Sequence, residues 1–319
     1  MNIGFVKSKK ENEKRVAIVY DDILKIKNKS SLFFEEGYLN NFGVSDFELR
    51  QLGCNVAKRE EILKCDVICD PKIGDAEYLP LLNNQIIFGW IHATQNKEIT
   101  DQLIKSNLTC YAWEKMFENG THIFRKNNEI AGEASVIDAL MKYGSISENL
   151  KACILGNGNI SRGAQRILNC LKIPYKVYKR KDEDKFKKEV YSYDIIINAI
   201  LWDVNRKDHI IYLDDLIKFK KNSLIIDISC DHNGAIESSH PTSVDNPIYF
   251  VDGIMHYAVD HTPTLLYKDA SYSISSEVFK YVDLFTNKKA KENSTLKEAL
   301  IIENGVILDA EINKYQGRQ

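Results

Sequence analysis

Short apolar stretches without polar alternation punctuate this chain, and longer stretches with a helical repeat separate them. Ile3–Val6, Val67–Cys69, Ile86–Phe88, Ala152–Leu155, Tyr175–Tyr178, Ile195–Asn198 and Leu224–Ile228 read as buried strands. Rich in Ile and Val and lacking in–out alternation, several of them predict parallel sheets covered on both faces. Helical spacing marks Ala134–Tyr143 and Arg162–Leu171. Strand and helix alternate almost throughout, which predicts an α/β fold. A length of 319 residues predicts two domains, at roughly 100–200 residues each. Two segments read as crossings between them. Asn127–Gly132 precedes a helix that feeds the strand at Ala152, and His261–Thr264 contains Pro263 just before a final helix. We therefore expect a doubly wound parallel sheet in residues 133–262, inserted in a second α/β domain built from residues 1–132 plus 263–319. The C-terminal stretch Ile301–Gln319 reads either as a docked strand or as a loose tail.

Composition narrows the class. Apolar residues make up 44% of the chain, enough for ordinary cores. Lys and Arg number 43 against 45 Asp and Glu, a balance that argues against a nucleic-acid binder. The seven cysteines are scattered and form no CxxC pair, which fits a reducing compartment. Cys65 and Cys69 read as buried thiols. The N-terminus reads as a short strand followed by charge rather than a signal peptide. No apolar run approaches the ~18–20 residues of a membrane span. These features predict a cytoplasmic protein that does not engage membranes. Spacings among His232, His240, His256 and His261 match no HExxH or Cys/His ladder, so no metal site is expected. No GxSxG nucleophile elbow occurs either.

The strand at Ala152–Leu155 runs into Gly156, Asn157 and Gly158, and a helix follows. Gly156 suits the tight turn, and Gly158 removes a Cβ where the backbone must approach a pyrophosphate. Asn159, Ile160 and Ser161 open the helix, whose free N–H groups face that anion. Ser161 stands where a third glycine is usual. A GxG is weak evidence alone, but its place between strand and helix is the context a dinucleotide site requires. We read the central domain as Rossmann-type. The residue that reads the ribose should end the next strand, about 20 residues on. Here that strand ends in Lys179, Arg180 and Lys181, and the first acid is Asp182. Basic groups pair with a 2′-phosphate, so the run predicts NADP(H) over NAD(H), the alternative being a solvated basic loop.

Four segments place ionisable groups after strands, where α/β enzymes build their sites. Arg15 stands at the start of a helix pattern and could grip a carboxylate. Lys72 follows the strand ending at Cys69. His92 follows the strand ending at Phe88 and titrates near working pH. Asp231 follows the strand that contains Asp227, and Asp227 itself reads as held by local N–H groups. Each has a structural alternative when taken alone; their joint placement is what points to a site.

These residues resemble a known family. Glu11–Ala17 (ENEKRVA), a strand-end Lys, a strand-end His, the GxG turn and the IDxxxDxxG segment occur in this order in alanine dehydrogenase and the nucleotide-binding subunit of transhydrogenase. The resemblance spans most of the chain, which is shorter than a typical alanine dehydrogenase. Tyr193–Asn198, Ser223–Ile228, Gly234–His240 and Thr262–Tyr267 look similar almost residue by residue to the N5-(carboxyethyl)ornithine synthase branch. The resemblance implies that Arg15 and Lys72 bind a keto-acid carboxylate and that His92 and Asp231 do acid–base work. It implies NADP(H) as cofactor, pyruvate and L-ornithine or L-lysine as substrates, and a homo-oligomer. Around Asp231 the chain carries His232, Asn233 and Gly234 where the dehydrogenases have Gln-Gly-Gly, which points away from plain ammonia use. Alternatives are an alanine dehydrogenase, a saccharopine-type dehydrogenase, or a non-catalytic NADP(H)-binding sensor.

Overall fold

The computed structural model describes residues 1–203, 206–230 and 233–318. The chain divides into two compact units, Met1–Phe124 with Tyr267–Gln319, and Arg125–Leu266. The first unit opens with β1 (Ile3–Phe5), β2 (Leu32–Glu35), β3 (Asn55–Ala57), β4 (Val67–Cys69), β5 (Ile86–Gly89) and β6 (Thr109–Ala112). They pair in parallel in the order β3-β2-β1-β4-β5-β6. A small hairpin, β7 (Phe117–Glu118) and β8 (Thr121–His122), follows.

The second unit holds β9 (Ala152–Leu155), β10 (Tyr175–Tyr178), β11 (Ile195–Asn198), β12 (Leu224–Asp227), β13 (Ile248–Val251) and β14 (Ile254–Tyr257). The sheet order is β10-β9-β11-β12-β14-β13, parallel except for the last strand. Every residue of β9, β11 and β12 is buried, as strands covered on both faces must be. Strand order reverses between β9 and β11, the switch point at which doubly wound sheets bind ligands. The expected α/β class, with a Rossmann-type sheet inserted in a unit built from both termini, is what the chain forms.

Beyond the insertion, helix Tyr267–Thr286 lays Ile274, Val278, Tyr281, Val282 and Phe285 along one face. That helical spacing packs them with Phe5, Phe34 and Phe88 of the first sheet. Burying each large apolar side chain contributes about 1.5–3 kcal/mol, so a late segment completes the core begun by the first strands. β15 (Leu300–Glu303) and β16 (Val306–Ile307) then extend the first sheet antiparallel to β6. The last residues form neither of the expected alternatives alone: after this docked hairpin comes a helix, Ala310–Gln316.

The helix read at Ala134–Tyr143 begins at Arg125. Its front half shows no apolar repeat because ion pairs hold it: Lys126 to Glu129 at 3.1 Å and Arg166 to Glu133 at 2.9 Å. The other helix runs Asn159–Cys170. The two cross so closely that a Cβ on Gly163 would lie 1.8 Å from the Glu129 carbonyl oxygen.

Candidate functional site

Each unit carries one group of the residues singled out by sequence. In the first, Arg15 starts a segment that is buried but not helical; the helix begins only at Tyr20. Side chains replace the missing backbone partners. Val16 N donates to Ser271 Oγ at 3.0 Å, Ala17 N to Tyr38 Oη at 2.9 Å and Val19 N to Ser275 Oγ at 2.9 Å. A buried N–H without an acceptor would cost about 1–3 kcal/mol, so these bonds hold the segment in its non-helical path. Arg15 is consequently not a solvated charge at a helix start. Its Nε and Nη2 clamp the Glu13 carboxylate at 2.8 and 2.5 Å, and its guanidinium lies 5.5 Å from the Trp90 ring centre. Burial alone would raise the Glu13 carboxyl, but Arg15 and Lys72 outweigh it and hold it below its usual range.

Lys72 is also buried, with Nζ 3.5 Å from Asp75. Lys10 reaches the same carboxylate at 3.3 Å. Burial first, then the charges of Lys10 and Arg15, push the Lys72 amine below its ordinary value, while Asp75 and Glu13 restrain the fall. Beneath them Asp70 has no exposure at all. It accepts hydrogen bonds from Lys72 N and the Tyr78 hydroxyl, both at 2.8 Å. Burial nevertheless pushes its carboxyl up to about 6.

His92 lies just past β5, in a left-handed backbone conformation with φ 56°. The Glu114 carboxylate receives Ile91 N at 3.2 Å and His92 N at 2.7 Å. Gly74 N donates to Trp90 O at 3.0 Å and so ties the loop bearing Lys72 to the loop bearing His92. The imidazole is solvent-exposed by area, yet protein packed around it lowers its pKa. Glu114 and Asp75 pull the other way, and the nearby Lys72 and Lys10 add to the lowering. Lys72 is thus brought within electrostatic reach of Arg15, Lys10 and His92.

In the second unit Gly156 takes φ 112°, a conformation few side chains tolerate. Gly158 caps the helix Asn159–Cys170, and a Cβ there would meet nothing within 4 Å. The fold itself does not demand a glycine at that position, whereas a closely approaching pyrophosphate would. Ser161 is fully buried and accepts from Gln165 Nε2 at 3.0 Å. The close helix contact expected of the third glycine belongs instead to Gly163. Asn159 pairs its carboxamide with Arg162, and Ile160 follows it in the first turn.

Beyond the carboxyl ends of β9 and β11 lies a cavity of about 260 Å³, walled by Gly156, Gly158, Arg180, Glu183, Trp202 and Arg206 among others. Arg180 therefore reaches the crevice, while Lys179 and Lys181 stay on an exposed turn outside its lining. Asp182 turns back to accept from Lys179 N at 3.0 Å. Two acids that do face the cavity, Glu183 and Asp203, escaped the sequence reading, and Asp203 lies 3.9 Å from Arg180. Glu183 is held in place. Both its oxygens are taken by Arg206 at 2.9 Å, and Arg206 lies over the Trp202 ring at 4.4 Å. Among the described residues buried Trp202 Nε1 has no hydrogen-bond partner, a donor that an acceptor-rich cofactor would satisfy. Open Gly158, the helix N-terminus and this donor fit a dinucleotide.

Asp231 and His232 lie outside the described residues. Asp227 is buried and accepts from Asn198 Nδ2 at 2.9 Å and Cys230 N at 3.2 Å. It is a turn-holding acid whose carboxyl burial raises. Among the described residues no group of His, Cys, Asp and Glu is arranged to hold a metal ion. Nor is any described helix long and apolar enough to cross a membrane.

Residues 4–131 match the family model described as alanine dehydrogenase/PNT, N-terminal domain, and residues 118–310 match its C-terminal domain counterpart. The chain is 35% identical over 300 residues to an N(5)-(carboxyethyl)ornithine synthase of Clostridium botulinum, covering 88% of this chain and 94% of that protein. It is 34% identical over 293 residues to the Lactococcus lactis subsp. lactis protein of the same name, covering 86% and 92%. A solved structure of L-alanine dehydrogenase superposes with a TM-score of 0.83 at 19% identity, covering 99% of each chain.

Proposed function

The chain belongs to the alanine dehydrogenase/PNT family, and we propose that within it this protein joins pyruvate to the side-chain amine of L-ornithine or L-lysine, using NADP(H). Family membership makes it an oxidoreductase that uses a nicotinamide nucleotide. The observation that carries the substrate reading is the cationic group of Arg15, Lys72 and Lys10 set beside a single histidine. Cations at that spacing suit the carboxylate of a 2-keto acid and orient its carbonyl. The relatives' name supplies the second substrate class.

The amine nitrogen adds to C2 of pyruvate and loses a proton. His92, with its pKa lowered, stands neutral and takes that proton. It returns that proton to the alkoxide oxygen, giving a hydroxyl; protonated again from solvent, it protonates this hydroxyl, so that water leaves and a protonated C=N bond, an iminium, forms. NADPH, when bound, supplies the hydride that reduces this iminium to a secondary amine. Gly156, Gly158 and the turn Asn159, Ile160, Ser161 would hold its pyrophosphate, and Arg180, with Lys179 and Lys181, its 2′-phosphate. Asp231 is proposed to steady the iminium or the incoming ammonium.

The test is oxidation of NADPH with pyruvate, run in parallel with ammonia, L-ornithine and L-lysine, and repeated with NADH. Fast turnover with a diamine acid and little with ammonia supports the proposal. Fast turnover with ammonia would make this an alanine dehydrogenase, and equal or better use of NADH would remove the cofactor preference. Binding of NADPH without turnover on any substrate would favour a sensor.

A further inference from the structure

We propose that Gln316, close to the C-terminus, is a positioning residue that fixes the backbone on which His92 stands; this rests on the acid–base role given to His92 above. The starting point is strain. His92 is a bulky side chain in left-handed backbone, with φ 56°. Such a conformation is costly and persists only where its surroundings over-determine it. Two clamps from distant parts of the chain do so here. On the amide side, Glu114 receives Ile91 N and His92 N. On the carbonyl side, Gln316 Nε2 donates to Ala93 O at 2.7 Å, with Thr94 O at 3.3 Å and Thr100 Oγ1 at 3.0 Å also in reach.

The carboxamide that makes these bonds is itself held. Arg318 Nε donates to Gln316 Oε1 at 2.5 Å, and Arg318 Nη2 donates to Asp101 Oδ1 at 2.5 Å. The amide can therefore present its N–H groups to the loop in one orientation only. The docking of the helix Ala310–Gln316 has a separate source, since Ile312 is fully buried beneath it. Helix attachment and loop alignment are thus carried by different side chains, and the polar tip of Gln316 acts on the two residues that follow His92. The need is for a donor: a carboxylate at this position would face two carbonyl oxygens.

The experiment measures kcat, KM and pH profile of Gln316→Ala and Gln316→Glu, each in the parent chain and in a His92→Ala background, with NADPH affinity followed by fluorescence. Expected is a fall in kcat of about tenfold, in keeping with small misplacements of a catalytic group. NADPH affinity stays at the parental value, and the limb of the pH profile belonging to His92 moves. In the His92→Ala background the second substitution changes kcat less than twofold, because a residue that acts through His92 has nothing left to act on. Unchanged kcat in Gln316→Ala, or an equal loss in both backgrounds, overturns the inference while leaving His92 in place. Parental turnover in His92→Ala alone sinks the reading of His92 and the inference with it. Should Gln316→Ala fail to fold, Arg318→Ala frees the carboxamide oxygen, along with Asp101 and the Lys97 carbonyl, without touching the Gln316 donor, and reads the same coupling in the two backgrounds.

Discussion

Replacing Asp70 by Asn should shift stability in the variant's favour as pH rises from acid to neutral, by an amount the site itself sets. Asp70 is fully buried, and its carboxyl is pushed up from 3.8 to about 6. A carboxyl with a raised folded pKa holds its proton more tightly in the native state than in the unfolded one. Its favourable contribution is therefore complete below pH 3.8 and is lost as pH climbs to about 6. At 1.36 kcal/mol per unit, the native state forfeits about 3 kcal/mol across that window. Asn is close in shape and uncharged. It can still accept from Lys72 N, and its amide can donate to the Tyr78 oxygen in place of accepting from it. Whatever fixed cost the exchange of hydrogen bonds brings does not vary with pH. The measurement is urea denaturation of parent and Asp70→Asn at half-unit steps from pH 3.5 to 8. The stability difference should grow in the variant's favour by about 3 kcal/mol, with the change lying between pH 4 and 6. A difference that stays flat over that range would refute the assignment of an ionised, poorly compensated carboxylate beneath Lys72.

Other outcomes follow from the same geometry. His92→Ala should lower turnover by ~10²-fold or more while NADPH titrates normally, and near-parental turnover would remove His92 from the chemistry. Gly163→Ala and Gly158→Ala should separate two kinds of glycine: the first drives a methyl into backbone at 1.8 Å and should cost about 3 kcal/mol or more in thermal or denaturant unfolding. The second places its methyl in open space and should weaken NADPH binding about tenfold at unchanged stability; equal destabilisation by both would contradict this division. The condensing reaction should accelerate above pH 7, because its amine, with a pKa of ~10.4, must be neutral to attack; a flat rate from pH 6 to 9 would count against that step being slow.

Much of the fold was legible because burial on both faces leaves a local mark. Ala152–Leu155 is an uninterrupted apolar run and Ile195–Asn198 is three isoleucines closed by Asn198, and the structure ends those strands at the same residues. What stayed hidden is non-local. Arg15 could be picked out by type and place, but not the Ser271 and Ser275 hydroxyls that satisfy its segment's buried N–H groups. Ser161 was weighed as the third glycine by spacing, whereas the close approach falls at Gly163, because it depends on a second helix whose polar front half has no apolar repeat. Counting from the strand end gave Asp182, and only the path of the chain shows that Glu183 and Asp203 are the acids at the cavity. Glu114 and Gln316 sit far from His92 in sequence and carry no motif.

The order of segments along the chain has a consequence for biosynthesis. The sheet started by β1 to β6 waits for Ile274, Val278 and Phe285 to cover its aromatic face. Ribosomes add about 5–20 residues per second, so residues 125–266 occupy roughly 10–30 s of synthesis. During that interval Phe5, Phe34 and Phe88 have emerged without their helix, while the contiguous second unit can close on itself. Nascent chains halted before Tyr267 should therefore engage hydrophobic-binding chaperones through their first 124 residues, and release should coincide with emergence of the helix that follows.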